Sequence, residues 1–90
     1  MNNTERIIER IESNCDYLMS YHITYRNIDE YVEDVFNDYL KHQSKLNNKQ
    51  LENIKESLLN ALEYTRDNNV EEDDEDTIEL INEYINQLTN

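Results

Sequence analysis

Apolar residues recur along this chain at spacings of three and four, the period of one face of an α-helix. Ile8, Ile11, Cys15, Leu18 and His22 make the first stripe, widened by Ile7 and Met19. The stripe predicts a helix over 4–22, Thr4 to His22, started by Asn3 or Thr4 as cap. Arg6, Arg10, Tyr17 and Tyr21 fall on or near its other side. Ile23 to Arg26 reads as a short joint. Asn27 and Glu30 have capping-box spacing, and Ile28, Val32, Val35, Phe36 and Tyr39 give a core face for a second helix over 28–42. Glu30, Glu33, Asp34 and Asn37 point away from that face, with Asp29 and Asp38 on its flanks.

After a joint at Gln43 to Leu46, Asn47 and Gln50 repeat the capping-box pattern. Leu46 and Leu51 sit where a hydrophobic staple requires them. The third helix is expected over 48–67, with Leu51, Ile54, Leu58, Ala61, Leu62 and Thr65 inward. Glu52 with Lys55, and Glu63 with Arg66, have the spacing of ion pairs along its surface. The fourth, over 74–88, turns Ile78, Ile81, Ile85 and Leu88 inward between Leu80 and Tyr84. On that phase Asp74 would point into the core, and a buried unpaired carboxylate is costly. The helix therefore starts at Asp73 or Asp74 as a cap, leaving Glu71 and Glu72 in the loop. Three short joints imply antiparallel neighbours. The pattern predicts an all-α fold, a small up-and-down bundle of four helices in one domain over 1–90. The alternative is three core helices with an end helix loosely docked or paired with another subunit.

Composition supports helices. The chain has no Gly and no Pro, which tight turns between strands ordinarily need. Asn can replace Gly where a helix ends in a left-handed residue, and Asn47-Asn48 and Asn68-Asn69 stand at expected joints. The single cysteine, Cys15, suits a reducing compartment. The opening residues do not read as a signal peptide. The longest apolar run is Tyr17-Leu18-Met19, far short of a membrane span. The expected location is cytoplasmic. Abundant Asn, Ile and Tyr suit an AT-rich genome, such as those of many phages.

Charge changes the picture most. The formal net charge is -13, and it is unevenly spread. Residues 27–43 carry five acids and one base, and residues 70–90 carry eight acids and no base, while residues 44–69 are balanced. The run Glu71 to Asp76 is wholly acidic. Acids in a helix's first turn are favoured by its dipole, and a negative surface aids solubility, so part of this run has a local explanation. Neither argument covers Glu79, Glu83, Asp34 and Asp38, which lie beyond a first turn. Glu75, Glu79 and Glu83 form a row at steps of four, and Glu30, Asp34 and Asp38 form another. Like charges so spaced destabilise a helix by about 0.2–0.5 kcal/mol per pair. Each row advances about 6 Å per carboxylate, comparable to the spacing of phosphates along a nucleic-acid strand.

The chemistry of sites narrows the function further. Eight Lys and Arg, scattered over four segments, do not make a phosphate-binding patch, so neither nucleic acid nor an anionic membrane is an expected partner. The acid run lacks the spaced ligands and Gly of a calcium loop, and Cys15, His22 and His42 lack zinc spacing. Cys15 and His22 lie on the apolar stripe and are expected in the core, and the helix dipole accounts for His42. There is no phosphate-cradling loop, no nucleophile elbow and no evident pocket for a carboxylate of raised pKa. The chain is expected not to be an enzyme and to need no metal or cofactor.

These features point to a partner with a basic surface, met in a fast and salt-sensitive encounter. The expected function is a small acidic inhibitor or regulator that fills the basic groove of a nucleic-acid-binding protein. That protein could be a nuclease, a restriction or CRISPR effector, or a transcription factor. The expected contacts are Glu30, Glu33, Asp34, Asp38, Glu75, Asp76, Glu79 and Glu83. Tyr17 and Tyr21, outward at a step of four, are aromatic anchors of the kind found at interfaces. One alternative is an immunity protein or antitoxin facing a basic toxin. Another is an assembly subunit that forms a homo-oligomer through its apolar stripes.

Overall fold

The computed structural model describes residues 2–90. Helix α1 spans Asn3–Leu18, α2 Asp34–His42, α3 Asn48–Asn68 and α4 Glu75–Thr89. A π-helical turn, Asp29–Glu33, leads into α2, and a 3-10 turn, Gln43–Lys45, leaves it. Among the described residues there is no strand.

Contacts between helices and between loops fix the direction of the helices. Arg10 of α1 meets Asp38 of α2 at 3.1 Å. Just beyond the other end of α1, Tyr21 stacks on Tyr31, so α1 and α2 run antiparallel. The loops that follow α1 and α3 touch: Ile23 donates its amide to the Asn69 carbonyl at 2.8 Å, and the Asn69 side-chain amide donates to the Met19 carbonyl at 2.8 Å. Thus α1 and α3 point the same way. Arg66 near the end of α3 donates to Asn82 of α4 at 2.9 Å. Phe36 of α2 lies 5.0 Å, between ring centres, from Tyr84 of α4. The result is an up-and-down four-helix bundle in which α1 and α3 pack most extensively and α2 touches α4 through Phe36 and Tyr84.

One contiguous core runs through all four helices. Ile11, Leu18, Val32, Ile54, Leu58, Leu62 and Ile81 are wholly or almost wholly buried. A chain of this length hides only roughly 60–65% of its unfolded surface, so the core recruits its loops as well. Ile23, Leu46 and Val70 are buried with the helical residues.

Two helix starts follow the expected side-chain chemistry. Asn47 accepts from the Gln50 amide at 2.9 Å, and Gln50 returns the bond by accepting from the Asn47 amide at 3.0 Å. Asp74 caps α4 by accepting from both the amide and the hydroxyl of Thr77, at 3.3 and 2.7 Å. This keeps the carboxylate at the helix mouth and satisfies the hydroxyl of a fully buried Thr77.

Other expectations are corrected. Helix α1 stops at Leu18, not His22, because the chain bends at Met19 and Ser20 to deliver Ile23 to the core. His22 is consequently exposed rather than buried, and its ring lies 4.0 Å from Glu71. Asn27 and Glu30 do not form a capping box. The Asn27 side chain turns back instead, accepting from the Thr24 amide at 2.8 Å and donating to the His22 carbonyl at 3.1 Å. The first joint is therefore longer than expected and is folded on itself. Among the described residues no position has a positive φ, so Asn69 does not end α3 in the left-handed conformation; at φ -114° it serves through its side chain. Arg66 pairs with Asp67 at 2.9 Å rather than with Glu63, and Glu52 and Lys55 form no ion pair among the described residues. Tyr64 on α3 is 47% exposed.

Candidate functional site

The acids of the second helical segment divide between two sides. Glu30, Asp34 and Asp38 line a groove against α1, together with Arg10, Tyr17 and Tyr31. Asp29 and Glu33 lie on the side of α4, close enough to Tyr84 to oppose its ionisation. The two sides have different chemistry.

On the α1 side, Asp38 is not available to a partner. Its side chain is only 10% exposed and is held by Arg10 Nε at 3.1 Å, His42 Nδ1 at 3.3 Å and Asn14 Nδ2 at 3.2 Å. The His42 ring nitrogen also lies 2.9 Å from the Asp38 carbonyl. This network follows from two steps of four, Arg10 with Asn14 on α1 and Asp38 with His42 on α2, which face each other once the helices pack antiparallel. A carboxylate covered and hydrogen-bonded in this way stabilises the helix contact. The same row keeps Glu30 and Asp34 exposed and outside any ion pair among the described residues.

On the α4 side, the acidic segments converge. Tyr84 sits at the seam and is held neutral beyond the ordinary tyrosine range. Burial is the first cause, followed by the carboxylates of Glu33, Glu83 and Asp29. Glu33 and Asp29 come from the π-helical turn and Glu83 from α4, so one tyrosine feels both. The row Glu75, Glu79, Glu83 is not straight. A step of four residues overshoots a full helical turn by about 40°, so the row drifts across the outer surface. By the helical period Glu75 falls on the flank of Asn82, which meets Arg66 of α3, whereas Glu83 acts on Tyr84. All four acids of α4 are exposed, and none joins an ion pair among the described residues.

The tyrosines expected as anchors form part of a cluster. The Tyr21 ring lies 4.6 Å from Tyr31, nearly parallel at 21°, and 4.6 Å from Tyr17. The Tyr21 hydroxyl donates to that of Tyr17. That bond, then desolvation and the neighbouring Tyr17 and Tyr31, push the Tyr21 hydroxyl up to about 12. Tyr17 remains 58% exposed, while Tyr21 is half-buried. Because α1 ends at Leu18, Tyr21 reaches this position from the loop rather than from a helical step of four.

The other candidate groups are quiet. Cys15 is buried, and burial, reinforced by Asp16 and Glu12, pushes its thiol up to about 12. Among the described residues no group of His, Cys, Asp and Glu has the arrangement of a metal site. No helix in this range is long and apolar enough to cross a membrane. Comparison of the chain with protein-family models, curated proteins and solved structures found no match.

Proposed function

We propose that this chain is an acidic docking protein that occupies the basic, nucleic-acid-binding groove of another protein and blocks it. The observation that carries the reading is the convergence of Asp29, Glu33 and Glu83 around Tyr84. There, acids from the π-helical turn and α4 form one exposed edge that joins no ion pair among the described residues. Glu79 and Asp76 extend the edge along α4.

Two physical arguments support it. Crowding like charges along helices costs stability, and a domain of this size has little to spare, so an edge kept this way is explained by a use outside the fold. A basic groove also supplies the counter-charge the edge lacks. The approach is steered at long range and weakened by salt. Docked there, the carboxylates take the hydrogen bonds that Arg and Lys would give to phosphates, and the bundle excludes the nucleic acid by its bulk.

The test is capture of partners from a cell lysate at low and at high salt, with the wild-type chain and with Glu33, Glu79 and Glu83 changed to Lys. The expected partners are basic nucleic-acid-binding proteins, released by salt and by added duplex DNA, and not retained by the variant. Neutral or acidic partners, or capture that ignores salt and the three substitutions, would reject the reading.

A further inference from the structure

The groove between α1 and α2 is a second surface, about 550 Å3 in volume, and its two ends differ. At one end Arg10 of α1 is bonded to Asp38 of α2, and Lys41 of α2 also lines the groove. At the other end Glu30 and Asp34 line the groove with Tyr17 and Tyr31. Both acids are exposed and outside any ion pair among the described residues. Tyr17 is exposed but tethered, because Tyr21 donates to its hydroxyl and stacks on Tyr31. An aromatic ring fixed in this way loses little freedom when a ligand covers it.

A planar cation is the ligand that these groups share. Carboxylates accept its hydrogen bonds in pairs, and a tyrosine face attracts its charge. Arginine meets both demands through one rigid, weakly hydrated group; the ammonium of lysine is a compact, strongly hydrated point. Lys41 and Arg10 repel a cation from their own end and confine it to the tyrosine end. We propose that the tyrosine end of the α1–α2 groove takes an arginine side chain from the basic partner, its guanidinium on the Tyr17–Tyr31 wall and bonded to Glu30 and Asp34. This assignment rests on the partner being basic, as proposed above.

The test uses the full chain, labelled with nitrogen-15 and titrated at low salt with a hexa-arginine peptide and, separately, with hexalysine. Amide shifts should centre on Tyr17, Glu30, Tyr31 and Asp34, and hexa-arginine should bind roughly 3-fold or more tighter than hexalysine. Tyr17→Leu should remove most of that preference. The isosteric pair Glu30→Gln and Asp34→Asn should weaken hexa-arginine roughly 10-fold, with thermal melting confirming that both variants fold. Equal affinities for the two peptides would overturn the assignment. Shifts centred on Glu33, Glu79 and Glu83 would also overturn it, yet leave the acidic-edge reading standing. Absence of binding by either peptide would count against both.

Discussion

The backbone amide of Ile23 donates to the carbonyl of Asn69 across 2.8 Å, fastening the loop after α1 to the loop after α3. Ile23 is fully buried behind this bond, and the Asn69 side chain adds a second tie to Met19. Ile23→Ala should lower stability by about 2–4 kcal/mol, as for other buried aliphatic truncations. Asn69→Ala should cost about 1–2 kcal/mol by leaving the Met19 carbonyl without its donor. Urea titration should show lower midpoints with unchanged slopes. The two losses should add incompletely, because the residues share one contact.

Asp38 separates fold from function. Asp38→Ala should destabilise the chain by about 1–3 kcal/mol, since it removes the acceptor of Asn14 and the carboxylate beside His42 at a nearly covered position, leaving His42 only the backbone carbonyl. Arg10→Ala should cost less, because Arg10 is 67% exposed and its pairing is screened by water. Denaturation curves of the two variants decide the order; a neutral Asp38→Ala would return this residue to the set of candidate contacts.

Relieving the repulsion on α4 should stabilise the molecule. Glu79 stands one step of four from both Glu75 and Glu83. Glu79→Gln removes two like-charge pairs and should raise stability by up to about 1 kcal/mol. Added salt should raise the melting temperature of the wild type more than that of the variant. Equal salt responses would mean that the row is not the source of the strain.

Alkali should unfold the chain earlier than its helical content alone implies. Cys15 is raised from 9.0 to about 12, mainly by burial, and Tyr21 from 10.0 to about 12, mainly by its bond to Tyr17. Burial raises Tyr39 and Tyr84 as well. Each group keeps its proton longer when folded than when unfolded. Their contribution is therefore complete below the unfolded values and is lost as pH rises from 9.0 through about 12. Melting temperatures across this range should fall, and the fall should begin later in Cys15→Ala. A flat profile would contradict the burial of these groups.

Much of the fold was legible because most of its core lies on helical stripes. Asp74 and Asn47 were readable as caps because their partners lie within three residues. What failed depended on distant partners. The apolar spacing continues to His22, but burying Ile23 against Asn69 outweighs one more helical turn. Asn27 fitted a capping box, yet its side chain closes a loop made only when the chain folds back. The site divides in the same way. Exposure of the α4 acids followed from periodicity, whereas the loss of Asp38 to Arg10, and the meeting of Glu33 with Glu83 at Tyr84, depended on which helices are neighbours.

The joints of this bundle are fastened by asparagine side chains, without a left-handed residue among the described positions. Covalent ageing therefore strikes the joints unequally. Hydrolysis of Asn47 to Asp leaves the accepting oxygen that caps α3, and Asp caps as well as Asn does. The same change at Asn27 or Asn69 destroys the donor that holds His22 or Met19 and adds negative charge to an already acidic molecule. Spontaneous loss of a single amide at either position would loosen the end of the bundle where the first and third loops meet, with every peptide bond intact.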